Sequence, residues 1–406
     1  MTTRLGKPPG ARGARLAGLL AALAALACGG PGDPAEERVE RARSGRGEIL
    51  IAAAWPWELR KEIRYGEGLE MAVDEANAAG GIQGRKLRIV RFDDQETIDQ
   101  GGIVAQQIAS NPDIVAVVGH LQSYITVQAA NVYDQAGLVL VAPTATDPDL
   151  TQRGYKRVFR ATFNDKSVGR QLADFMASQN LKRVAIYYIR NAYGRNVANA
   201  FEARAAQVGL SVVARSSYDP SEQANERSFE GTLRELKVTE MDAIVLPGEV
   251  PSAAIFIAQA RAHGITVPIV GGDAMSSPGL MAVAGAASEG VMVASFFHPA
   301  EPRPEIPAFD AAFRKKYGLA PDAGSALGYD CVRLLIEGMR RAKSPEPEAV
   351  ARELRALRDW KGVTGSFSFD ETGDIPGKPI VVSTVKDGQF AYQATLGPAR
   401  KPGERP

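Results

Sequence analysis

Hydroxyl side chains follow two neighbouring apolar runs of the chain. The run Ile114–Val118 is followed by Ser123, which opens a helical stretch. The run Leu138–Ala142 is followed by Thr144 and Thr146. Such runs indicate strands buried on both faces of a parallel sheet, where ligands bind at the carboxyl ends of the strands. Hydroxyl and free backbone N–H groups at that edge suit an anion such as a carboxylate. The alternative is that Ser123 and Thr146 are only helix caps.

The chain has few sequence patterns typical of enzymes or metal sites. None of its three histidines has a metal-ligand spacing, and no phosphate-binding loop or nucleophile elbow is present. His120 follows a strand end, and we interpret it as a hydrogen-bonded scaffold residue because no second catalytic group lies beside it. Asp93 and Asp94 are adjacent on a predicted strand and point to opposite faces, which favours a structural role. We therefore expect no catalytic residue, no metal and no cofactor.

Short apolar runs alternate with amphipathic helical stretches between residues 48 and 294. The predicted strands are Ile49–Ala54, Leu87–Phe92, Ile114–Val118, Leu138–Ala142, Val184–Tyr188, Val212–Arg215, Ile244–Leu246 and Ile269–Val270. The predicted helices between them include Gly68–Ala79, Ser167–Ser178, Asn196–Val208, Phe229–Leu236 and Ser252–His263. This alternation predicts an α/β protein with mostly parallel sheets flanked by helices, and two sheets fit the length better than one. After Phe296 the patterns predict three helices followed by short strands.

Composition places the chain among soluble globular proteins of two or three domains. Its 406 residues are 45% hydrophobic and 23% charged, and the formal net charge is +1. This balance lacks the basic surface that nucleic-acid-binding proteins need. Beyond the N-terminal segment, no apolar run reaches the roughly 18 residues of a membrane span.

The N-terminal segment, residues 1–27, is predicted to be a signal peptide. Basic residues precede the apolar stretch Leu16–Ala27, which is too short to be a comfortable membrane span. The residues around Cys28 resemble a bacterial lipoprotein signal, in which this cysteine is lipidated and becomes the first mature residue. Plain cleavage after Ala27 is the alternative. With Cys28 lipidated, Cys331 has no cysteine partner and is expected to be a buried, inert thiol.

Two polar segments are predicted to be disordered. Residues 28–47 are rich in Pro, Gly, Arg and Glu, which is typical of a flexible tether. Residues 396–406 have the composition of a frayed tail.

Short motifs recur along the chain in an order and spacing that carry a resemblance. They are Asn77–Gly84 (NAAGGIQG), Phe92–Asp94 (FDD), Gly119–Ser123 (GHLQS), Pro143–Thr146 (PTAT), Leu150 with Arg153–Tyr155, Tyr193–Gly194 and Leu327–Asp330 (LGYD). In these motifs the chain resembles the leucine/isoleucine/valine-binding proteins, the extracytoplasmic solute receptors of branched-chain amino-acid ABC importers. The similarity runs from about residue 48 to about residue 394 and covers nearly the whole mature chain.

This resemblance implies a two-lobe, type I periplasmic-binding-protein fold with three hinge crossings. Each lobe is expected to be a mostly parallel sheet flanked by helices. Lobe one is expected to comprise residues 48–164 and 298–372. Lobe two is expected to comprise residues 165–297 and 373–395.

The resemblance also implies roles for five residues. Ser123 matches the serine that binds the ligand carboxylate, and Thr146 matches a threonine that holds both the ammonium and the carboxylate. Thr144 lies where the family uses a backbone carbonyl to accept from the ammonium. Tyr193 matches the tyrosine that lobe two lays over the ligand, and Asp273 lies where the family carries an acidic partner for the ammonium.

Three further candidate ligand-binding residues depart from the family pattern. Trp55, in a loop where small residues are common, can form a pocket wall or can be exposed packing at the lobe edge. Tyr124 replaces a small residue beside Ser123. Glu249 stands where a tyrosine is common, and it can select a cationic or multiply hydrogen-bonding ligand or can face solvent.

The function implied is that of a non-enzymatic solute-binding protein of an ABC importer. We expect a monomer that binds a small amino-acid-like ligand by hinge closure and delivers it to a separate permease on the periplasmic face of the membrane, with a lipid anchor as its only membrane contact. One alternative is a ligand-sensing receptor subunit of the same fold that acts through a signalling partner. A second alternative is a hydrolase or amidase on this fold.

Overall fold

The computed structural model describes residues 1–2, 33–219 and 229–397. The lipidation candidate Cys28 lies outside these ranges. So do all but two residues of the predicted signal peptide and nearly all of the predicted tail. No helix within these ranges is long and apolar enough to cross a membrane.

A five-stranded parallel sheet forms the centre of the N-terminal part. Its strands are β1 (Ile49–Trp55), β2 (Leu87–Asp93), β3 (Ile114–Gly119), β4 (Val139–Ala142) and β5 (Val158–Arg160). They lie in the order β2-β1-β3-β4-β5, and every pairing is parallel. The helices of this region are α1 (Pro34–Arg43), α2 (Tyr65–Ala78), α3 (Ile98–Ser110) and α4 (Ser123–Gln135). β3 and β4 are buried along their whole length, because helices or other core elements cover both faces.

A seven-stranded mixed sheet forms the centre of a second unit. Its strands are β6 (Arg183–Ile189), β7 (Ser211–Tyr218), β8 (Ala243–Leu246), β9 (Ile269–Gly271), β10 (Met292–Ser295), β13 (Ile380–Lys386) and β14 (Gln389–Leu396). Their order is β14-β13-β10-β9-β8-β6-β7; β13 pairs antiparallel with both β10 and β14, and the other pairings are parallel. The helices of this unit are α5 (Asp165–Ser178), α6 (Ala192–Val208), α7 (Glu230–Val238), α8 (Ser252–Ala262) and α9 (Gly279–Ala284).

The chain returns to the first sheet between residues 297 and 375. The elements of this segment are helices α10 (Glu305–Tyr317), α11 (Ala323–Ala342) and α12 (Pro347–Ala356), with the strands β11 (Trp360–Gly362) and β12 (Gly365–Phe367). Their apolar side chains share one core with β1, β3 and α2. The second sheet has cores of its own. We call the unit around the five-stranded sheet lobe one and the other lobe two; the chain crosses between them three times.

The predicted fold class is confirmed, and so is the choice of two sheets over one. The chain boundaries assigned to each lobe stay a prediction. The three residues of β5 mark where the first crossing begins. They pair with β4 before the chain leaves the sheet, so the crossing begins after Arg160. Burial raises the pKa of the Cys331 thiol, and its side chain lies fully inside lobe one as expected.

The prediction of a disordered tether over residues 28–47 is wrong where the structure describes it. Helix α1 occupies residues 34–43, with Asp33 capping its first turn. Composition suggested disorder because the segment is rich in charge, but one of those charges is buried. Arg38 is fully buried and donates to the backbone carbonyls of Ala109, Ile114 and Ala136. Two of these carbonyls lie at the C-terminal ends of α3 and α4, where a cation also complements the helix dipole.

A buried ion pair joins the first crossing to the third. Arg160, fully buried at the end of β5, pairs with Asp374 at 3.0 Å. Asp374 also accepts from the amide of Asn164, at 3.0 Å. Arg160 reaches the other way to the carbonyls of Ala145 and Asp147, which belong to the loop after β4. The hinge and this loop are therefore held by one guanidinium group.

We expect Arg38→Ala to destabilise lobe one. The substitution leaves several buried carbonyl groups without donors, and losing even one hydrogen bond to a charged group costs about 1.5–3 kcal/mol. Arg41→Ala in the same helix is the control, because Arg41 and its partners Glu37 and Asp113 are all more than 40% exposed. Its cost should stay within about 1 kcal/mol. Urea denaturation of both variants measures the difference, and equal free energies of unfolding would mean that α1 is not an integral part of lobe one.

Candidate functional site

The Ser123 side chain joins two strand-end loops of lobe one. Ser123 is the first residue of α4, and Gln122 occupies the N-cap position without a side-chain capping bond. The Ser123 hydroxyl oxygen instead accepts from the backbone N–H groups of Thr146, at 3.1 Å, and Asp147, at 3.4 Å. Ser123 is therefore not simply a cap of its own helix. The hydroxyl lies where the N-terminus of a helix and a second loop meet, an arrangement that favours an anion.

The two threonines of the loop after β4 face different surroundings. The Thr144 hydroxyl donates to the carbonyl of Leu121 at 2.7 Å, so its side chain is engaged inside lobe one. Thr146 is 4% exposed and precedes Asp147, which caps the short 3₁₀ helix Pro148–Leu150. The Thr146 carbonyl accepts from the backbone N–H of Asp165, at 2.9 Å. Thr146 therefore touches the point where the chain first enters lobe two.

A buried chain of polar side chains supports this edge of lobe one. His120 is fully buried between Asp94, whose carboxylate lies 2.6 Å from Nδ1, and Tyr133, whose hydroxyl lies 2.9 Å from Nε2. The expected hydrogen bonding of His120 is confirmed, with Asp94 as a carboxylate neighbour, and its role as a scaffold residue stays a prediction. The neighbouring Asp93 instead accepts from the backbone of Gln95, so the adjacent aspartates act separately, as expected.

The two aromatic candidates of lobe one lie in unlike places. Trp55 is 1% exposed and stacks on Tyr65 with ring centroids 4.0 Å apart. Exposed packing at the lobe edge is therefore wrong for Trp55, and its role as a pocket wall stays a prediction. Tyr124 is 46% exposed, and its hydroxyl donates to the carbonyl of Glu96 at 3.1 Å.

The start of α6 gathers three carboxyl groups of lobe two. The amide of Asn191, the N-cap residue of α6, donates to Glu249 at 2.8 Å. The hydroxyl of Tyr193 donates to Asp273 at 3.2 Å. The amide of Asn196 donates to Asp165 at 3.1 Å. We call Asp165, Glu249 and Asp273 the acid triplet. Its members come from the start of α5 and the loops after β8 and β9, which lie side by side at the carboxyl edge of the sheet.

The acid triplet is unusually short of partners. Asp165 is 1% exposed, and its Oδ1 atom accepts no hydrogen bond from any described residue. No lysine or arginine within the described ranges forms an ion pair with any of the three carboxyl groups, and no group of side chains there could hold a metal ion. Removing a carboxylate from water without a cation is costly. The three carboxyl groups therefore lack a positively charged partner among the described residues.

Burial raises the pKa of every member of the acid triplet. Burial raises the pKa of Asp165 to about 7, with the neighbouring carboxyl of Asp273 adding to the rise and the hydrogen bond from Asn196 opposing it. Burial raises the pKa of Asp273 to about 6, and Glu249 adds to this. The pKa of Glu249 is raised by burial and by Glu96 of lobe one. Glu96 of lobe one therefore lies close enough to act on the carboxyl group of Glu249.

The structure adds three residues that the sequence did not single out. Asp165 precedes the predicted helix Ser167–Ser178, and no role was predicted for Asn191 or Asn196. Their spacing around Tyr193 was an available signal, because residues i−2, i and i+3 lie close together at a helix start. Their partners are far away in sequence, so the contacts themselves could not be found there.

Two sheet-centred lobes, three crossings and facing clusters of donors and carboxylates define a two-lobe ligand-binding protein. The chain belongs to the periplasmic binding protein family, whose model matches residues 63–389.

Known relatives agree with this assignment. The chain is 30% identical over 322 residues to the Leu/Ile/Val-binding protein of Escherichia coli, which covers 77% of this chain and 84% of that protein. It is similar to an ABC transporter substrate-binding protein of Desulfitobacterium hafniense in complex with Leu, with 39% identity, a TM-score of 0.76, and coverage of 85% and 100%. It is also similar to a branched-chain amino acid transporter substrate binding protein of Streptococcus pneumoniae in complex with isoleucine, with 28% identity, a TM-score of 0.75, and coverage of 86% and 99%.

In the ligand-free protein, we expect Asp273 to titrate near pH 6 and Asp165 near pH 7. ¹³C NMR of the labelled aspartate carboxyl groups measures these values. Asn196→Ala removes a donor to the charged form of Asp165, so the pKa of Asp165 should rise further. Asp242 is the internal control, because hydrogen bonds from Arg183 hold its pKa below 3.8. If the pKa values of Asp165 and Asp273 are as low as that of Asp242, water reaches the acid triplet freely.

Proposed function

We propose that this chain is an exported solute-binding protein of an ABC importer that binds a small amino-acid-like ligand between its lobes. One observation carries the proposal: an anion-favouring loop pair on lobe one faces a partner-poor acid triplet on lobe two. A zwitterion with carboxylate and ammonium on one carbon satisfies both demands at once. The amino-acid ligands of the Desulfitobacterium and Streptococcus relatives have this form.

The proposed residue roles combine the resemblance to the family with the contacts described above. Ser123 holds the ligand carboxylate through its hydroxyl and its backbone N–H. The ammonium lies against Asp273 and Asp165, with the Thr144 carbonyl and the Thr146 hydroxyl as further acceptors. Tyr193 covers the ligand from lobe two. Because the two ends of the ligand bind different lobes, only a state with the lobes together satisfies both, and the ligand shifts the protein towards it.

We further propose that the protein performs no chemistry on its ligand and passes it, as a monomer, to a membrane permease. The acid triplet lacks a nucleophile with an adjacent base, and the buried histidine His120 is engaged on both ring nitrogens. Incubation with bound amino acids should return them unchanged by mass spectrometry. A thermal-shift screen of amino acids identifies the ligand, because a bound ligand stabilises the folded state by mass action.

We expect Ser123→Ala and Thr146→Ala to weaken ligand binding about 10-fold or more. Each removes a hydrogen bond to a charged group, worth about 1.5–3 kcal/mol. Ser110→Ala is the control, because that hydroxyl donates only to its own helix at Gln107. Calorimetric titration with the amino acid found by the screen measures affinity. Unchanged affinity together with a lowered melting temperature would make both residues purely structural.

We also propose that Cys28 is lipidated, so that the mature chain begins close to lobe one. Only five residues separate Cys28 from Pro34, the first residue of α1. Wild-type protein should fractionate with membranes and carry an acyl group on its N-terminal peptide. Cys28→Ser should release it or block its processing, whereas Cys331→Ser leaves fractionation unchanged. Wild-type protein without an acyl mass and wholly in the soluble fraction would instead support cleavage after Ala27.

A further inference from the structure

The acid triplet has more carboxyl groups than one ammonium group can contact. The three carboxyl groups come from three separate elements and meet at the start of α6. Asp165 is 1% exposed, and its Oδ1 atom has no hydrogen-bond partner within the described ranges. An α-ammonium group is a single charge with three donors, enough for Asp273 and Asp165. Glu249 is then left without a cation.

Glu249 lies close enough to Glu96 and Tyr124 of lobe one to interact with both. Its Oε1 atom accepts from Asn191, and no described residue donates to its other oxygen. The groups of lobe one that act on it are negative or neutral: Glu96 raises the pKa of Glu249, and Glu249 in turn raises that of Tyr124. The nearby cation Arg60 is paired with Glu96, with atoms 2.8 Å apart, and is not available to Glu249. One carboxylate oxygen of Glu249 thus faces a region that attracts cations.

We propose that the site selects amino acids whose side chain carries a second cationic group, and that Glu249 is the residue that determines this specificity. The inference rests on the proposed function, since it assumes that Ser123 and Asp273 hold the α-carboxylate and α-ammonium. The second cation lies against Glu249, between Tyr124 and Asn191. It balances the remaining carboxylate, whereas an aliphatic side chain leaves that carboxylate desolvated and unpaired.

The position of Glu249 makes the preference one of length as well as charge. Asp273 and Glu249 follow the adjacent strands β9 and β8, and they are held by Tyr193 and Asn191, two residues apart at the helix start. A ligand whose α-ammonium binds Asp273 must therefore carry its second charge as far as Glu249. A flexible side chain of several methylene groups with a terminal ammonium or guanidinium meets this requirement, and it can bury its stem as it does so.

Lysine and norleucine make the sharpest pair of probes, because they differ only in the terminal ammonium group. We expect calorimetric titration of the purified chain, freed of ligand by unfolding and refolding, to show lysine binding at least about 10-fold tighter than norleucine. Glu249→Gln keeps an acceptor for Asn191 and removes the charge. It should weaken lysine binding about 10-fold or more, and it should leave norleucine binding no weaker, because it removes the carboxylate that norleucine leaves unpaired.

Glu235→Gln is the matched control, because it makes the same change on the exposed face of α7 in lobe two and should alter neither affinity. Glu249→Asp, which keeps the charge but retracts it, should retain part of the preference for lysine. Tighter binding of norleucine or leucine than of lysine by the wild type would overturn the inference and leave the proposed function standing. An equal effect of Glu249→Gln on both ligands would overturn it too. Binding of none of these amino acids or of arginine would overturn the proposed function as well.

Discussion

The site depends on the hydrogen bonds that the start of helix α6 makes to three carboxyl groups. Asn191, Tyr193 and Asn196 each donate to one acid of the triplet, and the helix N-terminus adds its own partial positive charge. Without these donors, the buried Asp165 and Asp273 and the half-buried Glu249 could not be held together at tolerable cost. With them, the carboxyl groups are held in place but not neutralised. Lobe two is therefore prepared for a cation that the protein itself does not provide.

Lobe one supplies the complementary hydrogen-bond donors from the loops that follow its strands. Its parallel strands end at one edge, so loops distant in sequence present hydroxyl and N–H groups side by side. The Ser123 hydroxyl ties two of these loops together, and the buried His120 with its aspartate and tyrosine partners fixes the edge beneath them. The loops are thus positioned before any ligand arrives, which reduces the entropy that binding must overcome.

Arg160 connects this edge to the hinge. Its guanidinium group reaches the loop after β4 on one side and Asp374 of the third crossing on the other. The backbone of Thr146 meets Asp165 where the first crossing enters lobe two. A ligand that binds both Thr146 and the acid triplet therefore contacts residues on both sides of a crossing. Capture of the ligand and the relative position of the lobes are linked by direct contacts, without a longer pathway.

The sequence alone determined the α/β class, the two sheets and most element positions, because apolar periodicity is a local property of the chain. Motif order indicated the family and placed Ser123, Thr146, Tyr193 and Asp273 at strand ends. Only the tertiary structure decided the rest. It turned a charged, apparently disordered segment into helix α1, because Arg38 finds carbonyl partners about seventy or more residues away.

Tertiary structure likewise brought Asp165 into the site, buried Trp55 against Tyr65, and placed Glu249 within reach of lobe one. Each of these outcomes depends on groups far apart in sequence. Whether a charge is buried or paired is set by what the folded chain places around it, and no local pattern carries that information.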